Sequence, residues 1–241
     1  MSPGLLGILI AGPTAAVVVA MFYVFWSARS SPQATRVALV AGVVLAVWAA
    51  ATAVLATTGF YAPASAESFP PTGAQFGIAL VALAVALAIS PSLRSLLSNQ
   101  RHVLRLNVWR LVGIVFIALW VTGQVPALWA IPTGVGDIIV GATAFWVASR
   151  FERPGGRRLA VLFNLFGLAD LFDAVALGIM TNPGPLQAFH TTPTSELVTH
   201  FPLALVPGFL VPLAIMLHVV SLWQLARGSW ARPGEAAHAV R

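Results

Sequence analysis

The sequence contains no cysteine and no lysine, and only 8% of its 241 residues are charged. A chain without cysteine forms no disulfides, performs no thiol redox chemistry and has no cysteine-rich metal site. A retinal cofactor is also excluded, because retinal attaches to a protein through a Schiff base with a lysine amine. The scarcity of charge argues against a soluble domain, whose surface needs many more polar side chains.

Long apolar runs fill the chain in place of charge: 59% of the residues are hydrophobic and the mean hydropathy is +0.89. Runs of about 20 apolar residues are typical of membrane-spanning helices. They are continuous rather than alternating, which excludes an outer-membrane barrel. We therefore predict an all-α integral membrane protein, a single domain built as a bundle of seven transmembrane helices. The expected spans are 4–27, 37–58, 74–90, 106–124, 127–149, 158–180 and 203–226.

The 13 arginines predict the orientation of the bundle. A net charge of +6 is compatible with nucleic-acid binding, but the arginines, including Arg110, fall in clusters between the apolar runs. The positive-inside rule then places the N-terminus outside, the C-terminus in the cytoplasm and every arginine on the cytoplasmic side. We expect a multi-pass protein of the cell membrane, a bacterial inner membrane, with lipids and a small solute or ion as partners and no nucleic acid.

Three segments outside the spans have predicted roles. Residues 91–102 alternate leucine with polar residues at helical spacing, which is typical of an amphipathic segment at the membrane interface. Residues 181–201 form an outer loop that is long enough to fold over a site as a lid, and residues 227–241 form a cytoplasmic tail. The outer loops carry Glu67 and Glu196 as their charges, together with His190 and His200.

Three aspartates interrupt the apolar runs of the fifth and sixth spans: Asp137, Asp170 and Asp173. At a rise of 1.5 Å per residue, all three lie about 10–15 Å below the outer end of their helices. Each costs roughly 2.5–3.5 kcal/mol at the centre of a span, so three of them require protons, a bound cation or partners. With all arginines assigned to the cytoplasmic side, the basic partners left are the outer-loop histidines.

A second polar layer is predicted nearer the cytoplasm. Asn164 on the sixth span and His218 on the seventh lie at similar depth, close to Asn107, Arg110 and Ser221. These residues either form an inner gate, add to the ligand site or pack at a helix interface. The seventh span contains several prolines, which indicates a broken or hinged helix.

Three functions remain open from the sequence, and it does not decide whether the protein is an enzyme. The first is a small transporter or ion-coupled permease whose proton, cation or substrate site contains Asp137, Asp170, Asp173, Asn164 and His218. The second is a membrane-embedded enzyme that holds a divalent metal ion with Asp170, Asp173, His190, Glu196 and His200, since O and N ligands suit Zn, Mn or Fe. The third is a membrane sensor or assembly factor in which the acids are structural.

Overall fold

The computed structural model describes residues 2–62, 68–69 and 71–227. Helix makes up 80% of the protein, and the described residues contain no strand. Seven of their helices are long and apolar enough to cross a membrane, as predicted. Glu67 and the tail beyond Arg227 lie outside the described residues.

The helices follow one another with short connections. The first four are α1 (Pro3–Ala28), α2 (Pro32–Thr57), α3 (Pro71–Ile89) and the short α4 (Pro91–Leu96). The next long helix, Gln100–Val121, consists of α5 (Gln100–Arg105), a 3₁₀ segment (Leu106–Val112) and α6 (Gly113–Val121); we call it the α5–α6 helix. The last three are α7 (Ala127–Arg150), α8 (Gly156–Thr181) and α9 (Val211–Arg227), and a π turn at Val206–Leu210 precedes α9.

Serine, asparagine and proline residues determine where several helices begin. Ser2, Ser31 and Ser90 accept a hydrogen bond from a first-turn amide of α1, α2 and α4, and a proline follows each serine. Such a serine satisfies an amide that lacks a helical partner, and proline suits the first helical position. Consecutive long helices run in opposite directions. The connections at 29–31, 90–99 (which contains α4) and 151–155 lie at what we call the arginine end, and those at 58–62, 122–126 and 182–205 lie at the loop end.

The α5–α6 helix begins earlier than predicted. We expected a span over 106–124, but the side chain of Asn99 caps the helix and it runs from Gln100 to Val121. The predicted interfacial segment 91–102 is therefore divided between α4 and the first turn of α5. Arg110 is ten residues from the start of the helix, about 15 Å along its axis. The expectation that every arginine lies at one end of the bundle is wrong for Arg110.

The core lies around the α5–α6 helix and the last helix. In the most apolar 18-residue stretch of each of these two helices, 61% and 72% of the residues are buried in the bundle. The corresponding values for α1, α2 and α3 are 28%, 22% and 11%. The outer faces of α1–α3 expose valine, isoleucine and leucine side chains. Polar residues of the inner helices consequently contact protein, whereas the first three helices present apolar surface outwards.

The π turn before α9 frees a backbone carbonyl that two other helices satisfy. The Gly208 carbonyl oxygen accepts hydrogen bonds from Trp48 Nε1 of α2 and Gln75 Nε2 of α3, each at 2.9 Å. Gln75 Nε2 also donates to Thr52 Oγ1 at 2.7 Å, and Gln75 Oε1 accepts from the Tyr61 hydroxyl. A broken helix within an apolar bundle is stable when neighbours pair its free carbonyls, and this one ties α2 and α3 to the core.

Candidate functional site

Arg110 lies fully buried between two aspartates at the centre of the bundle. Its Nε donates to Asp137 Oδ1 of α7 at 2.5 Å, and its Nη2 donates to Asp170 Oδ2 of α8. Nη1 lies 3.3 Å from both the Gly167 carbonyl oxygen and His218 Nε2. The fork of the guanidinium thus contacts α7, α8 and α9, and we call Arg110, Asp137 and Asp170 the triad.

Two glycines provide the space that the triad occupies. A Cβ on Gly136 would lie 1.6 Å from Asp170 Oδ1, and a Cβ on Gly167 would lie 2.4 Å from His218 Nε2. Any side chain at position 136 would therefore displace the Asp170 carboxylate. Glycine at these two positions therefore allows the polar side chains of neighbouring helices to meet.

A chain of hydrogen bonds continues from the triad towards the arginine end. His218 Nδ1 lies 2.9 Å from Asn164 Oδ1, and Asn164 Nδ2 donates to Ser221 Oγ at 2.7 Å. Gln100 Nε2 donates to the same serine oxygen. All four side chains are buried. Asn164, His218 and Ser221 of the predicted second polar layer therefore lie on one path that reaches the triad, whereas Asn107 donates to carbonyls of its own helix.

The charges of the triad do not balance when both acids are ionised. A guanidinium remains protonated in proteins, so the triad then carries a net charge of −1. One proton on either aspartate, or one monovalent cation beside them, makes the triad neutral. Because charge is costly in a dry, apolar interior, the triad has the composition of a site for one proton or one cation.

Asp137 also lines a cavity of about 410 Å³. The cavity runs from the loop end, where Asn182 and Thr199 line it, down to Asp137 at the level of the triad. Its walls are mainly apolar and aromatic: Phe69, Phe76, Trp109, Phe116, Trp129, Leu171 and Val211. A volume of about 300–1,000 Å³ with few polar groups is typical of small-molecule sites.

Polar atoms on the cavity wall lack a partner in the part of the chain that the structure describes. Thr133 Oγ1 is one turn above Asp137, and Asn182 Oδ1 is near the loop end; both residues are more than nine-tenths buried and neither atom has a hydrogen bond. Trp109 Nε1 is also unpaired. Buried polar atoms without partners are uncommon and costly, so these atoms are available to a ligand or water.

A second cavity, about 780 Å³, extends along α1. It is lined by Tyr23 and other α1 residues, by Phe145 of α7, and by His102 and Arg105 near the arginine end. Trp109 is common to the walls of both cavities. Tyr23, Ile114 and Phe145 are more than half exposed, so the second cavity is a groove on the outer face of the bundle. It runs from Ala118 near the loop end to His102 near the arginine end, and Trp109 lies between it and the cavity beside Asp137.

Other residues predicted for the site lie elsewhere. Asp173 is exposed on α8, and His190, Glu196 and His200 are exposed in the segment that follows α8. Among the residues that the structure describes, no three His, Asp or Glu side chains lie close enough to share a metal ion. The structure therefore does not gather the five predicted metal ligands.

The segment predicted as a lid packs against the end of α8. Ser195 Oγ donates to the Gly178 carbonyl at 2.8 Å, and the amides of Ala188 and Phe189 both donate to the Met180 carbonyl at 2.9 Å. Residues 182–186 and 198–199 of this segment line the first cavity. It therefore forms the wall of the cavity at the loop end.

These features define a class, a seven-helix bundle with an ionisable triad at its centre and a cavity beside it. A family model described as "Domain of unknown function (DUF8737)" matches residues 69–226, more than half of the chain, and the protein belongs to this family. No curated protein and no solved structure matches the chain. The matched residues include the entire triad and the chain of hydrogen bonds, whereas α1 and α2 precede them.

The sequence did not lead us to expect Arg110 as the partner of the two aspartates. The assumed start of the helix at residue 106 placed Arg110 one turn from the membrane surface. The N-cap signal of Asn99 was available, because asparagine is a preferred capping residue. A helix that starts at residue 100 puts Arg110 at the same depth as the aspartates.

Proposed function

We propose that this protein is a small proton-coupled membrane transporter whose exchangeable proton is held by the triad. The observation that carries the proposal is that Asp137 both pairs with Arg110 and lines the cavity. A change in the cavity thereby acts directly on the charge balance of the triad. An intramembrane acid with one basic partner is typical of proton relays and ion pathways.

The cavity beside Asp137 supports a transport path rather than a closed structural core, because it reaches the loop end. The second cavity is an outer groove that continues to His102 and Arg105 near the arginine end, and both include Trp109 in their walls. A solute at the triad would move between them if the barrier at Trp109 and Arg110 rearranged. The 3₁₀ segment Leu106–Val112 contains both residues, and 3₁₀ segments within long helices often mark hinges.

The setting we propose is a cell membrane, with the chain crossing it seven times. The positive-inside rule places the arginine end in the cytoplasm and the N-terminus outside. In this orientation the cavity beside Asp137 opens to the exterior. Lipids then contact the apolar outer faces of α1–α3, and the solute is a small molecule.

A test of the proton site is charge displacement in proteoliposomes. Purified protein is reconstituted and adsorbed on a solid-supported membrane, and the external pH is changed rapidly without any solute. A transporter with an exchangeable buried proton gives a transient current. We expect Asp170→Asn to abolish this current, because the remaining Arg110 and Asp137 are already neutral together. The matched control is Asp173→Asn on the same helix, which removes an exposed acid outside the triad and should leave the current intact.

Two results would refute the proposal. One is the absence of a transient current in the wild-type protein, which would leave the triad as a static ion-pair group and favour a structural role for the acids. The other is a current of wild-type size in Asp170→Asn, which would place the exchanging group outside the triad. The orientation of the protein in the vesicles is read from limited proteolysis, so both sides can be addressed.

A further inference from the structure

We propose that the cavity beside Asp137 binds a hydrophobic organic cation, an amine or quaternary ammonium compound, which exchanges with the proton of the triad. This inference rests on the proposed function and names the substrate class. It follows from three properties of the cavity: the charge at its base, the aromatic rings in its walls and the polar atoms left unpaired.

The charge at the base of the cavity selects a monovalent cation. With both acids ionised the triad carries −1, and Asp137 is the member that lines the cavity. An organic cation with one positive charge beside Asp137 would neutralise the triad as a proton does. An anion would add to the negative charge, and a neutral solute would leave it uncompensated.

The aromatic walls suit an organic cation more than a metal ion. Trp109, Phe116 and Trp129 line the same cavity as Asp137. The rings of Phe116 and Trp129 lie 5.2 Å apart, and Trp129 is held in place because its Nε1 donates to the Ala174 carbonyl at 3.1 Å. Fixed aromatic faces attract alkylated ammonium groups through cation–π interactions. A metal ion needs several oxygen or nitrogen ligands, and the described residues provide no group of three such side chains there.

The unpaired polar atoms suit the polar parts of such a molecule. Thr133 Oγ1 is one helical turn from Asp137 and can accept a hydrogen bond from a protonated amine. Asn182 Oδ1 lies nearer the loop end and offers a second acceptor. The apolar walls between them cover the hydrocarbon part of the ligand. The cavity therefore fits a molecule with a cationic group at one end and an apolar body.

Binding of the cation and release of the proton are linked by charge. If the cation and the proton each neutralise the same −1, they compete, and each lowers the affinity for the other by the same factor. The charged or titratable groups that face the triad are Arg110, Asp137, Asp170 and His218, from the α5–α6 helix, α7, α8 and α9. Asp173 lies one turn beyond Asp170 on α8. The first three helices carry Tyr23 on α1 and Arg36 on α2, both exposed, and no titratable residue on α3.

The test compares two probes of the same shape that differ in charge. Benzyltrimethylammonium is a quaternary cation, and neopentylbenzene is its neutral analogue with carbon in place of nitrogen. Binding to the purified full-length protein is measured by calorimetry for the cation and by competition for the neutral analogue. Repeating the titration in buffers with different enthalpies of ionisation gives the number of protons released. Asp137→Asn removes the charge, and Asp173→Asn is the matched control.

We expect benzyltrimethylammonium to bind at least about tenfold more tightly than neopentylbenzene, as an ion pair and cation–π contacts require. Its binding should release about one proton per molecule, since the two compete for a single charge. Asp137→Asn should weaken binding of the cation by about tenfold and remove the proton release. Asp173→Asn should change neither quantity.

Equal binding of the charged and neutral probes, or cation binding without proton release, would overturn the inference. These two results come from the wild-type protein, so they decide the question even if Asp137→Asn does not fold. If the wild-type protein gives the transient current on a pH jump but shows no preference for the cation, the substrate class fails and the transporter proposal stands. If it gives neither, both fail.

Discussion

The charges of the triad predict an unusual order of stabilities among neutralising variants. The side chain of Arg110 is 0% exposed, and those of Asp137 and Asp170 are 8% and 7% exposed. In the double variant Asp137→Asn with Asp170→Asn, the guanidinium stays charged and buried with no counter-charge. Removing the partners of a buried charge costs about 3–5 kcal/mol, and we expect the free energy of unfolding to fall by that amount.

The single and triple variants provide the comparison. Asp170→Asn alone leaves a neutral pair and replaces the carboxylate acceptor of one Arg110 hydrogen bond with a neutral amide oxygen, so it should cost about 1 kcal/mol. Adding Arg110→Met to the double variant removes the unpaired charge. The triple variant should therefore be more stable than the double variant, because replacing a buried ion group with apolar side chains is often neutral or favourable.

The assay is unfolding of the purified protein by SDS in mixed micelles, followed by circular dichroism. Asp173→Asn is the control for loss of an aspartate from α8 without loss of a partner of Arg110. A triple variant as unstable as the double variant would show that the unpaired guanidinium is not the cause of the loss of stability. A double variant as stable as wild type would show that Arg110 does not depend on the two acids.

Two further predictions follow from the geometry near the triad. Gly136→Ala places a methyl group 1.6 Å from the present position of Asp170 Oδ1, so it should lower the free energy of unfolding by about 1–3 kcal/mol in the same SDS assay. Gly12→Ala on α1, where nothing lies within 4 Å of the added methyl, should not lower it; equal losses would exclude crowding as the cause. Thr133→Val should weaken binding of benzylammonium, which can donate to the hydroxyl, but not of benzyltrimethylammonium, which cannot; calorimetry on both probes checks this, and an equal loss for both would assign the effect to packing.

The seven helices were predictable because long apolar runs carry a strong and local signal. Five of the seven predicted spans agree with the helices of the structure to within three residues at each end, and the second begins five residues too late, at 37 instead of Pro32. The fourth predicted span begins too late, at 106 instead of Gln100, because a prediction from hydropathy ends a span where polar residues occur. Gln100, Asn107 and Arg110 are instead buried against neighbouring helices. Whether a polar residue faces protein or water is a property of tertiary contacts, and no local pattern contains it.

The candidate site was predictable only in part, because it also depends on tertiary contacts. The cost of an acid within a span indicated that Asp137 and Asp170 need partners, and the structure brings both to one guanidinium. Asp173 is also an aspartate within the apolar run of α8 and lies at a similar depth, yet its side chain is exposed because it is on another face of the helix. The cavity involves five separate segments of the chain, so its position and its unpaired atoms appear only when the helices are assembled.

Exchange of one proton within the triad can be observed by infrared difference spectroscopy. A film of reconstituted protein is cycled between acidic and basic buffer, and the stretching band of protonated carboxyl groups is recorded. Exposed acids such as Glu152 and Glu196 also give a pH-dependent band. We predict one additional pH-dependent component that shifts in heavy water, persists in Asp173→Asn and is lost in Asp170→Asn. A spectrum of Asp170→Asn identical to that of the wild type would contradict proton exchange within the triad.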